Sequence, residues 1–338
     1  MPHERPANVI IFGGGAWGTT LALLVDRAGA AVTVVTHRRE DARTMTETRR
    51  HPRSLPGIAI PEAVNVVAIG DPLPLPDLLV LAVPTQKLRT ALPMLPARVS
   101  DAPIVSAAKG IELGTLLRPS LVIADLLQRQ PGDGIAVLSG PNLATEIAEG
   151  LPAAAVVAGQ DATLNLAVQR TLGSPRFRLY TSDDATGVEL GGALKNIVAI
   201  GAGIADGLRL GDNAKAAFIT RGLAEITRLG VALGADPLTF SGLSGIGDLL
   251  ATCASTRSRN HRVGVELAMG RPLARILAGI EETAEGVATT QAARDLAARM
   301  GVDMPIADAL HAVLFEGRDV AAAIESLLLR TPVPEIRD

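Results

Sequence analysis

Residues 8–36 read NVIIFGGGAWGTTLALLVDRAGAAVTVVT. A β-rich run at 8–12 meets a glycine cluster, then an apolar stretch, then a second β-rich run at 31–36. Gly29 stands between the last two, where a helix C-terminus favours glycine. Gly13, Gly15 and Gly18 satisfy G-x-G-x-x-G directly after a strand and at the opening of a helix. That context gives the spacing its meaning. Gly13 permits the tight turn, Gly15 lets backbone amides approach a pyrophosphate, and Gly18 lets helix and strand pack closely. The helix N-terminus adds partial positive charge for phosphates. A purely structural glycine turn is the competing reading.

Outward from this unit the pattern repeats. VNVVAI (64–69), DLLVLAVP (77–84), PIVSAAKG (103–110) and GIAVLSGP (134–141) read as strands, with TQKLRTALPML (85–95) and SLVIADLLQRQ (120–130) as helices between them. Apolar strands alternating with helices imply a parallel sheet covered on both faces, an α/β Rossmann-type doubly wound fold. After RFRLY (176–180) the strand-like alternation stops and helical segments take over. NAKAAFITRGLAEITRLGVALG (213–234) is amphipathic, with Gly234 as its cap, and IESLLLR (324–330) is the last helical run. The expected division lies near Ser182–Asp184: residues 1–183 as the dinucleotide-binding domain and 184–338 as an all-α substrate domain.

In open α/β sheets ligands sit outside the carboxyl ends of the strands. The second strand ends in Thr36, His37, Arg38 and Arg39, with no carboxylate before Glu40. A carboxylate there would hold a free ribose and repel a 2′-phosphate, whereas His37 and Arg38 suit a 2′-phosphate. NADPH use or dual use is therefore expected, against the alternative that these cations are merely solvated. SAAKG (106–110) places Lys109 past another strand end, where it meets an anion or water. SGPN (139–142) does the same for Gly140 and Asn142.

Composition narrows the classes. A chain of 338 residues with 48% hydrophobic and 20% charged residues can bury a sizeable core in about two domains. A net charge of −3 and 2% aromatics give no pull toward nucleic acid or anionic lipid. RRHPR (49–53) is short enough to read as a solvated loop. Cys253 is the only cysteine, so no intrachain disulfide forms and a cytoplasmic setting is expected. It reads as a small buried hydrophobe. The five histidines are scattered without ligand spacing, so no metal site is expected. The opening MPHERPANVIIF lacks a signal-peptide layout, and no uncharged apolar run reaches the ~20 residues of a membrane span.

GVELGGALKNIVAIGAGIADG (187–207) carries Lys195 in a nearly continuous apolar run, with no acidic residue within four positions. Gly191 and Ala199 share its helical face. Either the lysine snorkels to water or it belongs to a site, and the glycines make room for a helix or a ligand. In SGLSGIGDLLATCAS (241–255) Asp248 precedes an apolar helical run, as an N-cap would. In STRSRNHRVG (255–264) Ser258, Arg259 and Asn260 stand where another helix begins, either as a phosphate cradle or as a plain cap with a solvated arginine.

Together GGGAWGTTLA, AAKGIE, SGPN, GVELGGALKNIVAIGAGIADGLRLGDNAKAAFITRGLAE and GLSGIGDLLATCASTRSRN resemble the bacterial-type NAD(P)-dependent glycerol-3-phosphate dehydrogenases, from about residue 8 to about 330. The resemblance implies interconversion of sn-glycerol 3-phosphate and dihydroxyacetone phosphate with NADP(H) or NAD(H), serving phospholipid synthesis. It implies Lys195 as the proton acceptor. Lys109, Gly140, Asn142, Asp248, Ser258, Arg259 and Asn260 would line the substrate. Gly13, Gly15, Ala16, Trp17, Gly18, His37, Arg38, Lys109, Ala144, Arg259, Thr283 and Glu285 would contact the cofactor. A homodimer is left open. Asn142 departs from a common small hydroxyl, and Ser54 in HPRSLPG (51–57) replaces a frequent tyrosine.

A free lysine titrates near about 10.4, too high for base work at neutral pH. Burial would bring Lys195 toward ~7–8, with Arg259 pushing the same way. The rivals are a related two-domain reductase of keto or imino acids and a silent NADP(H)-binding regulator. The regulator would not need Lys195, Asp248 and Arg259 together.

Overall fold

The computed structural model describes residues 8–280 and 283–331. Residues 1–7, which hold most of the charged opening considered above, lie outside the described residues, as do 281–282 and 332–338. Eight strands form one sheet: β1 (Asn8–Phe12), β2 (Ala31–Thr36), β3 (Val64–Ala68), β4 (Leu78–Leu81), β5 (Ile104–Ser106), β6 (Ile135–Ser139), β7 (Ala153–Ala158) and β8 (Phe177–Ser182). Their order is β3-β2-β1-β4-β5-β6-β7-β8. Strand order reverses beside β1, and Phe12 stands level with both Val35 and Leu81. The carboxyl ends of β1, β2 and β4 therefore open into one crevice, the usual ligand position in such sheets.

Each face of the sheet carries its own core. Val9 and Ile11 join one cluster while Ile10 and Phe12 join the other. Period-two alternation between two buried faces explains why β1 is apolar throughout.

Three details differ from expectation. The sheet is not wholly parallel: β7 pairs antiparallel with β6, and β8 follows β7 in parallel. The strand β7 was not legible in its alanine-rich sequence. Residues 85–95 do not form one helix but a 3-10 turn (Thr85–Lys87), a short α turn (Leu88–Ala91) and another 3-10 turn (Leu92–Met94). Pro93 lacks the N–H a continuous helix needs and disfavours helical geometry at Leu92.

Beyond Ser182 the described residues contain helices only. The central helix, Ala185–Gly207, is buried at every position from Gly187 to Ala205. Asp184 caps it, accepting from the Gly187 N–H at 2.8 Å. Among the described residues it is the one helix long and apolar enough to cross a membrane, and its apolar 18-residue window lies wholly inside the protein. Its glycines admit neighbours. An added Cβ at Gly203 would stand 2.0 Å from the His261 carbonyl oxygen, and one at Gly191 2.5 Å from that of Ser244. Gly192 similarly faces Ser139 at 2.3 Å. These glycines make room for other parts of the protein, not for cofactor and substrate.

One buried carboxyl supports this packing. Glu225, on the helix Asp212–Ala232, accepts from the N–H groups of Ile306 (2.8 Å) and Ala307 (3.4 Å) at the start of the helix Pro305–Phe315. Burial pushes its carboxyl up to about 7 despite those bonds. The unfolded chain releases this proton near 4.5 and the folded chain near 7. Between those values the folded state binds more protons, so rising pH erodes stability, by about 3 kcal/mol in total. Glu225→Gln is expected to lose less melting temperature than the parent between pH 5 and pH 8. Parallel loss in both proteins, followed by calorimetry, would exclude Glu225 as the group.

Candidate active site

A cavity of about 990 Å³ lies against the carboxyl ends of the first strands and reaches the central helix. The glycine turn forms its floor. Gly13 has φ +118°, and a Cβ there would stand 2.4 Å from the Ala82 carbonyl oxygen at the end of β4. A Cβ on Gly18 would reach within 1.8 Å of the Gly13 carbonyl oxygen. Both positions are closed to a side chain by backbone. Gly15 differs, since nothing lies within 4 Å of its added Cβ. It borders the cavity at the N-terminus of the helix Ala16–Arg27, which has no side-chain cap. A narrow protein-made turn with one open glycine fits a pyrophosphate.

Unpartnered polar atoms point the same way. Both amide atoms of Asn142, a cavity residue, are buried without a hydrogen-bond partner among the described residues, as is the Trp17 Nε1. A buried polar group left unpaired costs about 1–3 kcal/mol, so these atoms suit a bound polar molecule. Ala16, Ala144 and Thr283 also border the cavity. The first turn of the helix Ala144–Ala148 is tied to the glycine-turn helix by the Thr20 hydroxyl, which donates to the Ala144 carbonyl at 3.1 Å.

The inner wall is built on two lysines and one carboxylate. Asp248 is 1% exposed. Its Oδ1 accepts from Lys195 Nζ in a short bond, and its Oδ2 accepts from Lys109 Nζ at 2.7 Å. Lys195 also donates to the Thr252 hydroxyl at 2.7 Å, and Lys109 to the Gly140 carbonyl at 2.9 Å. Lys195 is 6% exposed, and burial lowers its ammonium to about 8. Asp248 opposes that fall and the Lys109 charge assists it. The assisting cation is thus Lys109 instead of Arg259. The Asp248 side chain is no helix cap, because both oxygens hold ammonium groups one residue inside the helix Asp248–Ala254. Gly140 and Asp248 do not border the cavity themselves; they stand behind Lys109 and Lys195. Gly140 has φ +146° and presses on Ala155 Cα, 2.8 Å from its added Cβ.

Ser258, Arg259 and Asn260 reach the same wall. Ser258 caps the helix Arg259–Ala268, its Oγ accepting from the His261 N–H at 3.2 Å. Asn260 serves the protein directly. Its Nδ2 donates to Asn196 Oδ1 at 2.8 Å, and its Oδ1 accepts from the Gly286 N–H at 3.0 Å. Glu285 opens the helix Glu285–Met300 and accepts from the Thr85 N–H at 2.7 Å, joining the helical half to the sheet. Burial raises its carboxyl above the usual range, with the Thr85 bonds and the Arg259 charge opposing. Asn196 and Thr252 were missed from sequence although both border the cavity. Thr252 lies one helical turn after Asp248, a spacing that could have found it.

At the outer end His37 and Arg38 are exposed along the cavity rim. The loop with the serine departure packs without an aromatic. The Ser54 N–H donates to His51 Nδ1 at 2.8 Å, and His51 Nε2 meets the Gly14 carbonyl at 2.9 Å. Those partners assign the proton to Nε2. A carboxylate does reach this end. Asp41 borders the cavity, paired with Arg53. The basic loop is therefore part of the cavity wall. Cys253 is fully buried and its thiol is pushed up to about 12, as a packing residue would be.

A glycine-turn crevice facing a buried, downshifted lysine on a helical half defines a two-domain nicotinamide-dependent dehydrogenase. Residues 8–165 match the NAD-dependent glycerol-3-phosphate dehydrogenase N-terminus, and residues 184–325 match its C-terminus. The chain belongs to the NAD-dependent glycerol-3-phosphate dehydrogenase family. It is 47% identical over 339 residues to a glycerol-3-phosphate dehydrogenase [NAD(P)+] of Streptomyces griseus, covering 100% of both chains. A crystal structure of glycerol-3-phosphate dehydrogenase from Coxiella burnetii superposes with TM-score 0.87 at 34% identity, covering 97% of this chain and 100% of that one. A ketopantoate reductase from Ralstonia eutropha reaches TM-score 0.59 at 16% identity, with 91% and 97% covered, which is likeness of fold alone.

Proposed function

We propose that this chain interconverts sn-glycerol 3-phosphate and dihydroxyacetone phosphate, with Lys195 as the group that moves the proton. The nicotinamide, when bound, supplies or takes the hydride at C2. In the oxidation Lys195 Nζ accepts the C2 hydroxyl proton; in the reduction it returns one. The observation that carries this is a buried lysine at the cavity, its Nζ held by Asp248 and Thr252, where burial lowers the ammonium to about 8. Such a group exists in both protonation states near neutral pH, as an acid–base catalyst must. Lys109, Ser258 and Arg259, with Asn142 and Asn260 beside them, form the substrate wall. Arg259 and Lys109 supply the charge that a phosphate requires. The glycine turn, His37, Arg38 and Glu285 serve the dinucleotide, with either NADPH or NADH accepted.

The division into residues 1–183 and 184–338 is supported by β8 ending at Ser182 and the central helix beginning at Ala185. We place the reaction in the cytoplasm, consistent with a lone buried thiol, and its glycerol 3-phosphate in phospholipid synthesis.

The test is loss of reduced-nicotinamide absorbance with dihydroxyacetone phosphate, run with NADPH and NADH against a panel of keto acids and unphosphorylated ketones. Turnover confined to the phosphorylated ketone is expected. Preference for a keto acid would overturn the reading. Arg259→Ala is expected to raise KM for the phosphorylated substrate about 10–100-fold, the loss of one charge-assisted contact. If KM were unmoved, Arg259 would not belong to the phosphate wall.

A further inference from the structure

Beyond β2, five ionisable side chains share the outer wall of the cavity: His37, Arg38, Asp41, His51 and Arg53. Asp41 is the only carboxylate among the described residues bordering that end. It sits in the first turn of the helix Arg39–Thr48, next to the residues that end β2. A carboxylate in this region favours a free ribose hydroxyl and repels a 2′-phosphate. Yet its charge is covered. Arg53 Nη1 donates to Oδ1 at 2.7 Å, and Arg53 Nη2 donates to Oδ2 in a shorter bond. The pair is only partly exposed, with side chains 35% and 13% accessible for Arg53 and Asp41. A planar, two-point contact of this kind is the strongest neutralisation a carboxylate receives from one side chain.

Arg53 is also held in place by the dinucleotide turn itself. His51 bonds the Gly14 carbonyl and receives the N–H groups of Arg53 (3.2 Å) and Ser54 (2.8 Å). The loop is thus strapped to the floor of the crevice, and Arg53 projects from the strap onto Asp41. With Asp41 masked, Arg38 remains as net positive charge at this end.

We propose that Arg53 is a specificity-determining positioning residue, which admits 2′-phosphorylated dinucleotides by masking Asp41. The proposal rests on reading the β2 end as the adenosine ribose site. Without Arg53 the same wall presents a carboxylate stripped of its two-point partner, with only the through-space charges of Arg38 and His51 acting on it, and selects the unphosphorylated cofactor.

The experiment is calorimetric binding of 2′,5′-ADP and of ADP, probes that lack the nicotinamide, to the full chain and to Arg53→Gln, Asp41→Asn and the double variant. Steady-state KM values for NADPH and NADH are measured in parallel. The parent is expected to favour 2′,5′-ADP. Arg53→Gln should lose about tenfold or more of that preference, the size of one like-charge interaction at partial exposure, with ADP affinity nearly unchanged. Asp41→Asn should keep or strengthen the preference. The double variant, which removes both charges and leaves no unpaired carboxylate, should recover it. Equal weakening of both probes in Arg53→Gln would reduce Arg53 to a structural role. Failure of the double variant to recover would show that Arg53 does not act through Asp41. A parent indifferent to the 2′-phosphate would remove the ribose reading itself, and the proposal with it.

Discussion

Lys195→Met is expected to lower turnover at least ~10²-fold in both directions, the low end for losing acid–base help. Methionine keeps the length and apolar stem of the side chain and removes the proton carrier. The remaining carboxylate of Asp248 keeps Lys109 as its partner, and the surrounding helix stays packed. Binding of the dinucleotide, lodged at the glycine turn, should be little changed by fluorescence titration. The pH profile supplies an independent check. The parent's oxidation should rise as pH passes through about 8, because Lys195 must be deprotonated to accept. Its ketone reduction should fall over the same range, because the proton to be donated is lost. Lys195→Arg retains the charge yet cannot titrate there, so it should be as inactive as the methionine variant. Unimpaired turnover in either variant would falsify the assignment.

The residues legible in sequence are those whose reasons are local. The glycine turn is one, since strand, turn and helix fall within some twenty residues; Gly18 answers to the Gly13 carbonyl, Gly13 to the end of β4, and Gly15 is left open to the cavity. Lys195 was visible as an anomaly, a cation inside an apolar helix. Its partner was not, because Asp248 lies 53 residues away and resembles an ordinary cap. Asp41 and Arg53 were hidden by the same logic: a helix start and a basic loop look solvated until the chain brings them together. The strand β7 was missed because Ala153–Ala158 is poor in β-branched residues; its pairing with β6 and β8 decides its conformation. Asn260 borders the cavity and also bolts three helices together, a second role that no spacing rule reveals.

Asp248→Asn tests the wall from the opposite side and is expected to cost activity ~10²–10³-fold, because it strikes both lysines at once. In the parent one carboxylate holds two ammonium groups, Lys195 and Lys109, in a site almost closed to water. An amide offers one oxygen acceptor and turns an N–H donor toward the other ammonium. Lys109 and Lys195 then repel one another without a counter-charge. Both effects act on the protonation of Lys195. Asp248 holds its ammonium up while burial and Lys109 push it down, so removing the carboxylate takes away the largest upward influence. The rise of oxidation with pH should therefore shift to lower pH, below about 8, even as the rate ceiling falls. A merely structural lesion would lower the ceiling and leave the midpoint in place. Breaking a buried ion pair also destabilises, by about 3–5 kcal/mol, so a lowered melting temperature is expected and does not decide the matter. The midpoint does: a variant of reduced activity that still titrates where the parent does would mean that Asp248 props the helices and leaves the lysine's proton affinity to its apolar surroundings.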